Sequence, residues 1–316
     1  MSQLYEVTNS VTIRKLLDLV KEANIGLPAF QRSFVWPVDK SRSLLLSILR
    51  GYPAGALLTM KTDGSSENSL FAVRAIESAP PLANGVDSVV LDGQQRLTSI
   101  YQLINGSGEH VHFLNVPKFL EALSADGVNE ENFEDVVISL RRSNKQQAKR
   151  IAALASISTQ SSEMIMPLAR LQGGGAGVSN WFHEIRYELQ NAVDVESWEN
   201  ARDLVAEEFA DAVLNYDFPM VALKKDVPAE AVASVFDNLN SSGMTLNMFD
   251  IMVARAFTPG QPTLQDRWQD ACDDTPGYIG DYAISPIYAL HVIALLVGHR
   301  SGQNKSSPVL RRILSN

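Results

Sequence analysis

The sequence predicts an α+β fold, with strands and helices mixed through the first half and helices dominating the second. Three observations predict it. Val89-Val90-Leu91 is a short buried strand that runs straight into a helical pattern with Leu97, Ile100, Tyr101 and Ile104 on one face. Segments of strand length recur on either side of it, at 56–61, 70–76 and 110–116. From Pro117 onward the apolar spacing turns mostly helical.

Taken in order, residues 11–23 read as an amphipathic helix, because Ile13, Leu16, Leu17 and Val20 share a face. Gly26-Leu27-Pro28 reads as a turn. The aromatic stretch Phe30 to Trp36 follows, and Pro37 can open the next helix, which carries Leu44, Leu45, Ile48 and Leu49. Gly51-Tyr52-Pro53 closes that helix. Strands are expected at 56–61 and 70–76, with a polar loop at 62–69 between them. Gly173-Gly174-Gly175-Ala176-Gly177 lacks the Gly-Lys-Ser/Thr ending of a P-loop and reads as a flexible linker. It divides the chain into 1–172 and 178–316. Beyond it come a long helix at 196–216, a strand at 218–224, and helices at 229–239, 247–257, 263–273 and 286–297.

Of the 316 residues, 45% are hydrophobic and 20% charged, as in soluble globular proteins. Cys272 is the single cysteine, so no internal disulfide forms, and its acidic neighbours disfavour a thiolate. The apolar run 288–297 is too short to span a bilayer, and no signal peptide is evident at the N-terminus. The expectation is a cytoplasmic protein without membrane association. The net charge is −9, yet residues 1–62 carry eight Lys/Arg against four Asp/Glu. A polyanion should therefore meet the N-terminal part first, although solubility alone also explains the charge. His110-x-His112 places two imidazoles on one strand face without an evident third ligand, and His291 reads as a core residue.

The chemistry concentrates at Asp92-Gly93-Gln94-Gln95-Arg96. A strand delivers the chain to a glycine, and a helix starts at once. The first amides of a helix lack internal partners, and the positive end of its dipole attracts phosphate. Arg96 adds a planar cation suited to phosphate oxygens. Gln94 or Gln95 could hold a water or a base edge. Asp92 could hold Mg²⁺ or polarise a water. The plain alternative is that Asp92 caps the helix and Gly93 only turns the chain.

Pro28 to Trp36, then Ser47 to Gly55, then Leu91 to Thr98, then Phe236 to Leu246 with Asp250, resemble the N-terminal domain of GmrSD-type modification-dependent restriction enzymes. The SspE-like phosphorothioate-sensing proteins belong to the same broad group. The resemblance implies a ParB/sulfiredoxin-like N-terminal domain followed by a mainly helical region that completes the pocket. It implies binding and hydrolysis of an NTP, GTP or ATP, with Mg²⁺, in a sensor that restricts phage DNA carrying modifications. Under it, Asp92, Gln94, Gln95 and Arg96 are the catalytic candidates, with Asp92 also the metal ligand. Gln31, Arg32, Gly93, Thr98, Ser47, Arg50, Lys61 and Asn240 are the nucleotide-binding candidates. Phe30, Gln31, Arg32 and Trp36 are the candidates for reading modified phage DNA, since aromatics beside an arginine suit stacking on a base. Phe34 and Trp36 read equally well as core residues, Arg50 and Lys61 as a solvated face, and Asn240 as a helix end before Gly243.

No His-Ile-x-Pro-type HNH motif occurs in the chain. The expectation is that an HNH-type nuclease lies in a partner subunit, or in a longer protein of which this chain is a fragment. Homo-oligomerisation stays open. Two rival readings use the same pocket: a non-catalytic module that recognises DNA modification, and a DNA-nicking nuclease built on the same acidic–basic cluster.

Overall fold

A computed structural model describes residues 5–29, 31–64, 72–82, 85–189, 194–225, 227, 231–232, 264–275, 284–286, 288–290 and 292–293. In the first half the elements are β1 (Tyr5–Thr12), α1 (Ile13–Lys21), β2 (Ile25–Pro28), α2 (Val38–Leu49), β3 (Leu57–Lys61), β4 (Val73–Arg74), β5 (Ser88–Asp92), α3 (Gln94–Asn105) and β6 (His110–Asn115). They continue with α4 (Val116–Ser124), α5 (Phe133–Val136), β7 (Val137–Arg141), α6 (Lys145–Leu154), α7 (Ile157–Glu163) and β8 (Ile165–Pro167). After a 3₁₀ turn at Leu168–Gly173 come α8 (Gly174–Glu188), α9 (Val195–Leu204), a π-helical turn at Val205–Asp211, α10 (Ala212–Leu214), β9 (Asp217–Leu223) and α11 (Leu264–Asp274). The architecture is mixed α and β, as the apolar spacing predicts.

Six strands form one sheet in the order β1-β9-β3-β5-β2-β4. β5 lies inside it, antiparallel to β3 and parallel to β2. Both of its faces are covered, which explains its continuous apolar run. Val90 packs into the main core with Leu57, Leu97 and Ile100. Val89 and Leu91 pack on the other face with Met60, Val86 and Leu223. A second, antiparallel sheet has the order β7-β6-β8.

The helix α1 forms where its apolar spacing places it, capped by the Thr12 hydroxyl, which accepts from the Lys15 amide. Other expectations are corrected. Gly26-Leu27-Pro28 is not a turn but part of β2, because pairing with β5 outweighs the local turn signal. The strand expected at 70–76 shortens to Val73–Arg74. β1, β7 and β8 lie where no strand is expected. The glycine run is not a linker: Gly174 to Gly177 form the first turn of α8, whose Val178, Trp181, Phe182 and Ile185 are buried. A β-carbon on Gly177 would lie 2.0 Å from the Arg170 carbonyl oxygen, so the residue answers a close packing contact rather than a need for freedom. The long helix at 196–216 is continuous only through the π turn. The expected strand at 218–224 is β9, and it joins the sheet of the first half. The helix expected at 247–257 lies outside the described residues, as does most of the one at 229–239.

Candidate functional site

The site is built at the junction of β5 and α3. Gly93, with φ +92°, turns the chain between them and supplies no side-chain cap. A β-carbon there would lie 2.4 Å from Leu57 Cδ2, so only glycine fits. The first bond of the helix runs from the Leu97 amide to the Gly93 carbonyl. Among the described residues, no acceptor meets the Gln94, Gln95 and Arg96 amides.

Arg96 lies over the segment that follows α2. Its Nη1 donates to the Ala56 carbonyl at 2.7 Å. A β-carbon on Gly55 would come within 2.9 Å of Arg96 Nε, so the backbone of Gly55 is the floor on which the guanidinium rests. The Tyr216 hydroxyl pins this segment, accepting from the Ala54 amide and donating to the Tyr52 carbonyl, both at 2.8 Å. Among the described residues the nearest carboxylate to the guanidinium is that of Asp92, with Oδ2 at 3.7 Å, and the two side chains stay 27% and 44% exposed. The cation is therefore oriented by backbone, only loosely neutralised, and open to solvent.

Gln94 and Gln95 turn the other way. Gln95 Oε1 accepts from the Val35 and Trp36 amides at 2.9 and 3.2 Å, while its Nε2 donates to the Ser33 carbonyl at 3.2 Å. Gln94 Nε2 donates to the Arg32 carbonyl at 2.6 Å. Both side chains are buried. This corrects the expectation that one of them orients an attacking water: their amide groups are engaged in latching the loop at 31–36. Gln31 reciprocates, its Nε2 donating to the Val90 and Leu91 carbonyls at 3.0 and 2.8 Å. Its Oε1 is buried without a hydrogen-bond partner among the described residues.

Arg74 and Glu77 complete the latch, and sequence reasoning missed both. Arg74 Nη2 donates to the Gln31 and Arg32 carbonyls. Glu77 Oε1 accepts from the Phe34 amide at 2.9 Å and pairs with Arg74 Nη1 at 3.0 Å. The signal for them is a pair of opposite charges three apart in an otherwise apolar stretch, Ala72 to Glu77. We expect Gln95→Ala to lower stability by about 2–3 kcal/mol, since three hydrogen bonds go and two loop amides lose their acceptor. Thermal melting checks this, and a melting temperature equal to wild type would remove Gln95 from the latch.

The remaining candidates are placed as follows. The Arg32 side chain is exposed, and no carboxylate among the described residues pairs with it. Thr98 is fully buried, its hydroxyl donating to Glu77 Oε2 at 3.4 Å, so in this structure it supports Glu77. Ser47 donates to the Ser43 carbonyl one turn back in α2. Arg50 stacks on Tyr52 at 4.5 Å and bonds both oxygens of Glu130, which partly neutralises its charge. Lys61 stands opposite Ser88, whereas Asp92 stands opposite Leu58, so four residues of strand, about 13 Å, separate Lys61 from the site. Trp36 is half-buried against the main core. Phe30 and Asn240, with the Phe236 to Leu246 block, lie outside the described residues.

Three of the blocks singled out in the sequence, at 28–36, 47–55 and 91–98, thus meet around the start of α3. A family model described as GmrSD restriction endonuclease, N-terminal domain, matches residues 13–257. An uncharacterized protein of Methanocaldococcus jannaschii is 25% identical over 305 residues, which cover 89% of this chain and 48% of that protein. The chain thus spans about half the length of the curated relative it matches.

Proposed function

The chain belongs to the family of GmrSD restriction endonuclease N-terminal domains, and we propose that it is the NTP-binding and NTP-hydrolysing sensor part of a restriction system that acts on modified phage DNA. The observation that carries this reading is the start of α3. Three amides without acceptors among the described residues stand beside a guanidinium that is held in place by the Ala56 carbonyl and remains open to solvent. Phosphate oxygens match that donor set in charge and in geometry. The ParB/sulfiredoxin-like fold implied by the resemblance accords with a phosphate site at a strand–helix junction.

In this reading Arg96 and the α3 amides grip the phosphates, and Gly93 lets the backbone approach them. Asp92 is the residue that would hold Mg²⁺. The fit is chemical: the half-exposed Asp92 carboxylate would supply one hard oxygen to the ion. When bound, the ion neutralises charge that develops on the phosphate oxygens. Gln94 and Gln95 act through the loop, holding Arg32 and its neighbours beside the site. An HNH-type nuclease in a partner or a further domain would cut the DNA.

Phosphate release from ATP and GTP tests the proposal. Wild type is expected to turn over one of them, and Asp92→Ala to lose at least about tenfold of that rate. Equal turnover in the two proteins would take the motif out of catalysis. The DNA-recognition reading has one observation in its favour, the exposed Arg32 side chain, which no carboxylate among the described residues pairs with. Salt-dependent binding that separates modified from plain duplex, together with no phosphate release, would favour it.

A further inference from the structure

The loop at 31–36 has a second side. Away from the α3 start, Phe34 and Trp36 line a cavity of about 510 Å³, bounded also by α2, α3 and β6. Its volume falls within the usual range for small-molecule sites. Neither Asp92 nor Arg96 lines it, so it is distinct from the phosphate site.

Its wall combines flat apolar groups with a few uncommitted polar ones. Ser41 Oγ and Ser99 Oγ lie 2.9 Å apart, and both side chains are buried. Two hydroxyls hold two protons, and their mutual bond uses one. The second proton has no acceptor among the described residues, so the pair can donate to a molecule in the cavity. His112 Nδ1 shares a bond with the Ser139 hydroxyl at 2.8 Å, which leaves Nε2 for a ligand. Burial and the neighbouring His110 and Arg42 push the His112 imidazole down to about 3, so the ring is neutral. Because the Ser139 hydroxyl can rotate, Nε2 is able to donate or to accept. The ion pair of Arg141 and Glu109, at 2.9 Å, also forms part of the lining.

We propose that this cavity binds a planar heteroaromatic ring of nucleobase size, flanked by Phe34 and Trp36 and held edge-on by the Ser41–Ser99 pair and His112. Aromatic side chains bind any nucleobase by stacking, and neutral hydroxyl and imidazole groups read its polar edge without requiring charge. The cavity is coupled to the phosphate site through Gln95, whose Oε1 holds the Val35 and Trp36 amides. A ring seated there fixes the same loop that α3 latches from the other side. The ring can come from a free nucleoside or from an unpaired nucleotide of DNA.

The test is calorimetric titration of the whole chain with adenosine, guanosine, cytidine and thymidine, and separately with a short single-stranded oligonucleotide. None of the nucleosides carries a phosphate, so Arg96 has nothing to grip. Binding of at least one probe is expected, weakened at least tenfold by Val38→Trp, which fills the cavity from the first turn of α2. Trp36→Leu, which removes a flanking ring, is the second variant and should weaken binding as well. Inorganic tripolyphosphate serves as the control: Val38→Trp should still bind it and Arg96→Ala should not, so failure of either site is seen separately. Binding of nucleosides points to a free ligand, and binding of the oligonucleotide alone to a nucleotide of DNA. No binding of any probe, or binding that both variants leave unchanged, would overturn the proposal.

Discussion

Arg96→Ala is expected to reduce NTP turnover by about 10²–10³-fold, the usual cost of removing one preorganised donor from a site where charge develops. In the proposed site the loss should fall on kcat as well as kcat/KM, because the guanidinium would bind the charge that develops on the phosphate oxygens in the transition state. Arg96→Lys should recover only part of it. An ammonium keeps the charge but cannot hold the Ala56 carbonyl and a phosphate oxygen together with one planar fork. Phosphate-release kinetics on the three proteins decide the matter. Turnover of Arg96→Ala within about threefold of wild type would mean that the α3 amides alone bind the phosphates.

Gly93→Ala is expected to destabilise the fold by about 2–5 kcal/mol, the sum of a strained backbone and an overpacked contact. The backbone sits at φ +92°, which an alanine resists, and the new methyl would meet Leu57 Cδ2 at 2.4 Å. Relief requires the buried Leu57 side chain to turn aside, β3 and β5 to part or α3 to tilt, and the last two motions move Arg96 off its Gly55 floor. Chemical denaturation should therefore show a lower midpoint, and nucleotide binding should fall even where the protein remains folded. An unchanged midpoint would show that the Leu57 side chain swings aside at little cost.

The β5–α3 junction is legible in the sequence because its signals are local. The apolar run, the glycine and the helical spacing of Leu97, Ile100 and Ile104 all lie within a short stretch of chain. The convergence of the blocks at 28–36, 47–55 and 91–98 is legible only through resemblance, since no periodicity relates them. What Gln94 and Gln95 do was hidden for the same reason. A side-chain amide serves a water or a remote carbonyl equally well, and its partners here, Arg32, Ser33, Val35 and Trp36, stand far off along the chain. The surroundings of Arg50 and Lys61 were not legible, because composition shows a cation but not its neighbours. Glu130 holds the first, and strand register carries the second away. The glycine run misled because small size permits tight packing as readily as freedom, and at Gly177 packing decides.

The place of β9 has a consequence for synthesis. It lies between β1 and β3, hydrogen-bonded to both, yet it is the last of the six strands to be made. While the ribosome is still producing the intervening helices, β1 has emerged but has no neighbour, and β3 keeps an open edge. Until β9 is made, the nascent chain therefore carries unsatisfied strand edges. Vectorial folding cannot close this sheet early; closure waits until Leu223 has cleared the exit tunnel.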